Sequence, residues 1–244
     1  MTHEEPLSGG FINEVVRVGD TVRRAGSQVS DFAPRLLRLL EERGWNGAPR
    51  YLGVDDAGRQ VLGYIEGIVP TDDVVPEAFM ADESLAAISR MVREFHDLTA
   101  GSDLAGDAEV VCHNDLSPKN TVYRERDGVT MPVAFIDWDI AEPGPRINDI
   151  AMVCWKYLDL GPSRDVRICS RKMRLICDAY GQDDRSGLMD AITWWMDATV
   201  WGIHYGADKG TDALIRLRDG GYTEAIQRNV EWVRANRAGL EGAL

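Results

Sequence analysis

Eight consecutive residues, HNDLSPKN at positions 113–120, lie between two short apolar runs. The run AEVVC before them and the run TVY after them predict two β-strands, because both are short and rich in apolar and β-branched residues. The polar residues are therefore expected on a loop that a rigid sheet holds in place. Binding and catalytic residues of proteins commonly lie on such loops.

The chain of 244 residues divides into a strand-rich first part and a helix-rich remainder. FINEVVRV and GDTVRRA predict two strands joined by a turn, and PRYLGVDDAGRQVLGYIEG predicts a hairpin. Residues 31–43 have leucines at helical spacing and end before Gly44, which predicts a helix. We therefore predict an α+β protein with a strand-rich lobe at residues 1–66, a helical lobe at residues 67–244 and a hinge at IEGIVP.

Helical periodicity dominates the second part of the chain. Apolar residues at helical spacing predict a helix at residues 84–98, and one helical pattern follows another from residue 147 onward. Residues 223–237 predict an amphipathic helix with three apolar residues facing inward: Ile226, Val230 and Val233. This last helix is assigned to packing alone.

Bulk composition excludes several classes of protein. The net charge of −13 disfavours nucleic acid and anionic membranes as partners, because both are negatively charged. No apolar run reaches the length of a membrane span, and no basic region precedes an apolar stretch at the N-terminus, so we expect neither a membrane helix nor a signal peptide. The four cysteines form no C-x-x-C pair, and we expect reduced, mostly buried thiols in a cytoplasmic protein.

Residues 113–120 fit the pattern H-x-D-L-x-x-x-N of a kinase catalytic loop. In this pattern Asp115 accepts a proton from an attacking hydroxyl, and Asn120 directs an oxygen at a magnesium ion. His113 would hold the loop in shape. Taken separately, Asp115 and Asn120 are also explained as turn-forming residues around Pro118. The match over eight residues favours the catalytic interpretation.

A second acidic cluster follows an apolar strand, in VAFIDWD. Asp137 ends the strand, and Asp139 comes two residues later. Because carboxylate oxygens suit magnesium, Asp137 is predicted to hold the ion that bridges the nucleotide phosphates. Asp139 is a candidate substrate contact. Asp137 alone is also explained as a cap at the end of a strand, but the two motifs together favour phosphoryl transfer.

These motifs resemble those of the aminoglycoside phosphotransferases, a family of small-molecule kinases with a two-lobe, protein-kinase-like fold. The resemblance extends over most of the chain and includes SGGFINEVVRVGDTVRR, GYIEG, REFHD, HNDLSPKN, FIDWD and GPRINDIA. It implies a nucleotide-binding N-terminal lobe and a larger helical lobe for catalysis and substrate binding. It also implies that Asp115 is the catalytic base, that Asn120 and Asp137 bind Mg²⁺, and that ATP or GTP is the donor.

The resemblance assigns nucleotide contacts to four residues near the N-terminal lobe: Gly9, Gly10, Tyr64 and Glu66. The segment around the two glycines lacks the full G-x-G-x-x-G pattern of a phosphate-covering loop. A flexible turn explains these glycines equally well. Alone, the glycine segment is therefore a weak signal.

Kinases place a phosphate-binding lysine on the third strand, whereas this chain has Arg23 and Arg24 there and no lysine before Lys119. Strand alternation allows only one of the two arginines to face the cleft. We predict Arg23, which shares a strand face with Thr21, and keep Arg24 as the alternative. Arginine binds phosphate bidentately, so nucleotide binding remains compatible with the replacement, although its planar fork is larger than an ammonium group.

Residues 190–204, DAITWWMDATVWGIH, predict a helix with acids and tryptophans on one face. Trp194, Asp197 and Trp201 belong to this face and are candidate substrate contacts. A cationic substrate would suit them, because carboxylates attract the charge and a tryptophan face adds cation–π energy of about 0.5–2 kcal/mol. The alternative is a core helix whose tryptophans pack inward while its acids pair with arginines.

The sequence therefore predicts a cytoplasmic phosphotransferase that moves the γ-phosphoryl group of ATP or GTP to a hydroxyl of a small molecule. A cationic acceptor is the working hypothesis. The alternative is a catalytically weak or inactive kinase-like protein that binds a small ligand or partner, as the missing lysine and the incomplete glycine loop would allow. The retained Asp115, Asn120 and Asp137 favour an active enzyme.

Overall fold

The computed structural model describes four segments of the chain: residues 4–7, 15–25, 31–70 and 76–244. The chain forms two compact units, Met1–Arg146 and Ile147–Leu244. Each unit is a part of the chain whose residues pack mainly against one another. The lobe boundary after residue 66 is a separate matter and stays a prediction. Gly9 and Gly10, which are predicted to contact nucleotide, lie outside the described residues.

An antiparallel sheet of five strands lies in the first unit. The strands are Glu5–Pro6 (β1), Val15–Val18 (β2), Thr21–Ala25 (β3), Tyr51–Val54 (β4) and Arg59–Gly63 (β5). Their order across the sheet is β1-β2-β3-β5-β4. Gly19 closes the β2–β3 hairpin with φ 59°, a conformation in which a Cβ atom would be strained. The predicted hairpins are confirmed, whereas β1 was not predicted.

Helix α1 (Phe32–Glu42) connects β3 to β4. Its Leu36, Leu37 and Leu40 are buried, so the helix predicted from leucine spacing is confirmed. The helix stops just before Gly44, whose φ of 74° is typical of the glycine that follows a helix.

The rest of the first unit carries the two predicted motifs. It contains helix α2 (Asp82–Thr99) and the strands Val110–Cys112 (β6), Thr121–Arg126 (β7), Val129–Phe135 (β8) and Glu142–Gly144 (β9). β6 pairs with β9, and β7 pairs with β8. The strands predicted on either side of residues 113–120 are therefore confirmed, and this loop runs from the buried β6 directly into β7.

A buried aromatic cluster supports the loops beside these strands. Trp138 is 1% exposed, and its indole Nε1 donates to the Phe135 carbonyl oxygen at 3.0 Å. Its ring centroid lies 4.5 Å from that of His113, 5.3 Å from that of Phe95 and 6.3 Å from that of Trp45. Because close-packed aromatic rings resist displacement, this cluster fixes the backbone of both motifs.

The second unit is helical, as predicted from residue 147 onward. Its helices are Ile147–Leu158 (α3), Val166–Tyr180 (α4), Leu188–Asp208 (α5), Asp212–Asp219 (α6), Tyr222–Ala235 (α7) and Arg237–Glu241 (α8). α5 packs against α3, α6 and α7. Among the residues that the structure describes, no helix combines the length and apolar character needed to cross a membrane.

Buried side chains agree with two further expectations. In α7 the predicted inward residues Ile226, Val230 and Val233 are buried. In the described structure all four cysteines are buried and none of them is in a disulfide: Cys112, Cys154, Cys169 and Cys177. Burial raises the pKa of the Cys169 thiol, which keeps it in its unreactive protonated form.

Candidate active site

Residues 113–120 form a loop that His113 ties to its surroundings. His113 is fully buried. Its Nδ1 accepts the Asp115 N–H at 3.3 Å, and its Nε2 lies 3.1 Å from the Ile136 carbonyl oxygen. Both ring nitrogens therefore contact the backbone of the two motifs, and His113 holds the loop in place through them. The supporting role of His113 in catalysis stays a prediction.

Asp115 and Asn120 are in direct contact. The Asn120 Nδ2 donates to Asp115 Oδ2 at 2.8 Å and to the Asp115 carbonyl oxygen at 2.9 Å. The Asn120 carbonyl oxygen accepts the N–H of Ile136 at 2.9 Å. Because Ile136 immediately precedes Asp137, these bonds bring the two acidic motifs together at one site.

Asp137 and Asn114 have the same unusual backbone conformation on the two loops. Their φ angles are 65° and 64°. Non-glycine residues in this region carry strain of about 1–3 kcal/mol, and such residues concentrate at functional sites. The Asn114 Nδ2 donates to the Ile140 carbonyl oxygen at 3.2 Å, which connects the two loops. Asp137 keeps a side chain that is 49% exposed, and is therefore accessible to a ligand.

Arg24 on β3 binds both acids of the FIDWD motif. Its Nη1 donates to Asp137 Oδ1 at 2.9 Å, and its Nη2 donates to Asp139 Oδ1 at 2.5 Å. Its Nε donates to Gln60 Oε1 at 3.1 Å. Arg24 is only 8% exposed, so these are charge-assisted bonds in a largely dry setting. Asp139, a predicted substrate contact, is thus engaged by Arg24.

Arg24, the alternative of the two arginines, lies at the acids, whereas Arg23, which was predicted to face the cleft, contacts Asp55, and its role in nucleotide binding stays a prediction. Arg23 does share a strand face with Thr21, whose Oγ1 accepts from Arg23 Nη1 at 2.6 Å. That face points to Asp55, whose Oδ2 lies 3.6 Å from Arg23 Nε. The strand alternation is as predicted, but the register pairs Arg24 with the buried Gln60 of β5 and so directs Arg24 to the acids.

The donor atoms at this site fit a magnesium ion. Asp137 and Asp139 offer carboxylate oxygens and Asn120 offers an amide, and hard oxygen ligands of this kind suit Mg²⁺. Burial raises the pKa of the Asp139 carboxyl, the Arg24 charge opposes that rise, and the negative charge of Asp137 adds to it. A guanidinium bridging the two carboxylates indicates that the site attracts positive charge. The predicted ligands Asn120 and Asp137 therefore fit the ion.

Tyr64 and Glu66 line a cavity of about 530 Å³ in the first unit. The Arg17 guanidinium carbon lies 3.8 Å from the Tyr64 ring centroid, and Arg124 Nε donates to the Glu66 carbonyl oxygen at 2.8 Å. The described residues that line this cavity include none of the acids around Arg24. The structure thus groups these two residues with arginines, and their assignment to nucleotide binding stays a prediction.

Helix α5 of the second unit exposes two of its predicted tryptophans. Trp194 is 58% exposed and Trp201 is 66% exposed, which excludes the core alternative for both. Trp201 stacks on Tyr205 with ring centroids 5.1 Å apart. Asp197 Oδ2 accepts from Arg234 Nη2 at 2.7 Å, so its charge is already paired. The exposed face is therefore more aromatic than acidic, and its role in substrate binding stays a prediction.

Sequence reasoning does not identify Gln60 or Trp138. Trp138 has a readable signal, because an apolar residue between Asp137 and Asp139 continues the alternation of the strand before it. Gln60 has none, because only the register between β3 and β5 reveals that it holds Arg24.

Comparison with known proteins identifies relatives of this chain. Residues 76–171 match the Phosphotransferase enzyme family. The trifolitoxin immunity protein of Rhizobium leguminosarum bv. trifolii is 28% identical over 275 aligned residues, and the alignment covers 100% of both chains.

Solved structures share the fold. The GDP complex of wild-type aminoglycoside 2'-phosphotransferase-IIIa superposes with a TM-score of 0.61 at 14% identity, covering 97% of this chain and 94% of that one. A choline/ethanolamine kinase family protein from Mesorhizobium loti superposes with a TM-score of 0.58 at 18% identity, covering 96% and 92%. The chain thus has the predicted α+β, protein-kinase-like fold, and its resemblance to the aminoglycoside phosphotransferase family, carried in sequence by residues 76–171, is confirmed.

Proposed function

We propose that the protein is a phosphotransferase that moves the γ-phosphoryl group of ATP or GTP to a hydroxyl of a small molecule. The observation that carries this proposal is the contact between Asp115 and Asn120, joined through Ile136 to Asp137. The match of residues 76–171 to phosphotransferase enzymes and the GDP complex of a protein with the same fold support it. A nucleotide donor and four cysteines outside disulfides suit the cytoplasm.

Asp115 is the proposed general base. It would accept the proton of the acceptor hydroxyl while the hydroxyl oxygen bonds to the γ-phosphorus. The bond from that phosphorus to the bridging oxygen breaks, and the nucleoside diphosphate leaves. The 2.8 Å hydrogen bond from Asn120 fixes the Asp115 carboxylate for this task. His113 supports the same geometry from the loop's buried side, since its Nδ1 accepts the Asp115 N–H.

Asn120 and Asp137 are the proposed magnesium ligands. When bound there, Mg²⁺ neutralises the charge of the nucleotide phosphates. Asp137 suits the task because its carboxylate is about half exposed, while Trp138 anchors the adjoining backbone in the core. Phosphoryl transfer depends mainly on positioning and electrostatics, so this small set of groups is sufficient.

The exposed face of α5 is the proposed acceptor surface. Trp201 and Tyr205 form a stacked pair with both rings exposed. Aromatic faces attract cations, which keeps a cationic acceptor as the working hypothesis. Asp197 contributes less than the sequence pattern indicates, because Arg234 already neutralises it.

Transfer of labelled phosphate tests the proposal. We expect Mg²⁺-dependent transfer from γ-labelled ATP or GTP to at least one of three acceptor classes: aminoglycosides, choline and ethanolamine. These classes are chosen because the names of the structural relatives include them. Product separation by chromatography detects the transfer, and reactions without protein are the control. Nucleotide binding without transfer to any hydroxylated amine would contradict the proposed activity.

The second candidate is a kinase-like protein that binds a toxic molecule without modifying it. Similarity to the trifolitoxin immunity protein over the whole chain favours it, as does the absence of a lysine before Lys119. Protection of trifolitoxin-sensitive cells separates the two candidates. If protection needs catalysis, cells that express the Asp115→Ala variant lose it. If binding suffices, that variant protects as well as the unchanged protein.

A further inference from the structure

Arg24 is held by acids of the metal site. In the described structure its guanidinium bridges Asp137 and Asp139, and Gln60 holds its Nε. Glu41 of α1 pairs with a different arginine, since its Oε1 lies 2.5 Å from Arg50 Nη1. Arg24 thus supplies the positive charge at the very carboxylate that is proposed to bind magnesium.

A divalent cation and this guanidinium compete for the same two carboxylates, because Arg24 already holds Oδ1 of Asp137 and Oδ1 of Asp139. Arginine stays protonated at any physiological pH, so Arg24 cannot relieve the conflict by losing its proton, as a buried lysine can. Its side chain is about 90% buried, and like charges in a poorly solvated setting repel strongly. A metal ion that binds Asp137 must therefore displace Arg24 or bind weakly beside it.

Nucleotide phosphates offer the displaced guanidinium an alternative partner. A guanidinium binds phosphate oxygens with the same bidentate geometry as carboxylates. The neutral Gln60 accepts a hydrogen bond from Arg24 Nε through its Oε1. It can therefore hold the Nε end of the guanidinium while Nη1 and Nη2 exchange partners. In this exchange the phosphates replace the carboxylates of Asp137 and Asp139 on Arg24, and the metal replaces Arg24 on those carboxylates.

We propose that Arg24 is an exchangeable counter-ion, which keeps divalent metal off Asp137 until a nucleotide arrives. This inference rests on the proposed phosphotransferase function and adds a regulation of its metal site. It makes metal and nucleotide binding cooperative, since the phosphates draw Arg24 away from the carboxylates that bind metal, and the metal releases Arg24 to bind the phosphates. The protein without nucleotide then holds metal weakly.

Metal binding without nucleotide tests the inference directly. Mn²⁺ prefers the same oxygen ligands as Mg²⁺ and is detected by electron paramagnetic resonance. We expect Arg24→Gln to bind Mn²⁺ roughly 5- to 150-fold more tightly than the unchanged protein, the usual range of coupling between two sites. In the same variant the affinity for Mn²⁺-ATP or Mn²⁺-GTP should fall, because the phosphates lose their guanidinium partner.

Arg23→Gln is the matched control, because Arg23 is the adjacent arginine of β3 and faces Asp55 instead of the metal site. We expect its Mn²⁺ affinity to equal that of the unchanged protein. Arg24→Lys serves as a second variant if Arg24→Gln does not fold, which circular dichroism reports. A lysine cannot bridge two carboxylates with a planar fork. The Arg24→Lys variant should therefore bind Mn²⁺ more tightly than the unchanged protein does.

Equal or weaker Mn²⁺ binding in the folded Arg24 variants would overturn the inference. The failure of the proposed function has a different signature, in which the unchanged protein binds no nucleotide with any metal. The Mn²⁺ affinities of the Arg24 variants and of the unchanged protein are compared without nucleotide. The two failures are therefore distinguishable. Adding Asp137→Ala to an Arg24 variant should abolish the gain in Mn²⁺ affinity. A gain that survives this second substitution would also overturn the inference.

Discussion

Replacing Asp115 with alanine is expected to lower the rate of phosphoryl transfer by roughly 10²- to 10⁴-fold, because the proposed base and its orienting effect are both lost. Nucleotide affinity should change little, since Asn120 and Asp137 remain. The measurement is the turnover rate on the acceptor that the labelled-phosphate screen identifies, together with a nucleotide titration of the same variant.

Asp107→Ala is the control for Asp115→Ala. Asp107 is an exposed acid of the first unit, in the loop before β6, and is not assigned to the site. Its replacement should leave turnover unchanged. Near-normal turnover in the Asp115 variant would remove Asp115 from the mechanism, even if nucleotide binding were intact.

Trp138→Ala is expected to lower the free energy of unfolding by about 3–5 kcal/mol, the range for removing a large aromatic side chain from a core. Trp138 is 1% exposed and packs against His113, Phe95 and Trp45. The loss also frees the backbone between Asp137 and Asp139, so activity should fall even under conditions where the variant is folded. Denaturant unfolding monitored by circular dichroism gives the energy.

Trp201→Ala is the matched control for Trp138→Ala, since it removes the same side chain from a site that is 66% exposed. Its effect on stability should stay within about 0.5 kcal/mol, as for most surface substitutions. The prediction fails if the two variants unfold at the same denaturant concentration. In that case the aromatic cluster would not be what supports the FIDWD motif.

Much of the fold is predictable because local patterns and tertiary packing agree. The leucines of α1 and the inward residues of α7 follow helical spacing and are buried. The hairpins of the sheet follow from turns such as the one at Gly19. β1 is not predictable in this way, because Glu5–Pro6 is a two-residue strand with no apolar alternation. Its pairing with β2 is decided by tertiary contact.

The candidate site divides into a predictable and an unpredictable part. Asp115, Asn120 and Asp137 follow from the motifs HNDLSPKN and FIDWD, which are readable in the sequence itself. The role of Arg24 does not follow, because the choice between two adjacent arginines depends on strand register, and a shift by one residue exchanges the two faces. Gln60 is even less accessible, since it contacts Arg24 only through the pairing of β3 with β5.

The central claim is that Asn120 and Asp137 form a magnesium-dependent nucleotide site. Calorimetric titration of ATP and GTP into the purified protein, with and without Mg²⁺, tests it most directly. We predict binding of at least one nucleotide that requires Mg²⁺ and weakens in the Asn120→Ala and Asp137→Ala variants, while Asp107→Ala binds normally. Absence of binding by either nucleotide at millimolar concentration would contradict the claim and leave the toxin-binding candidate as the better account.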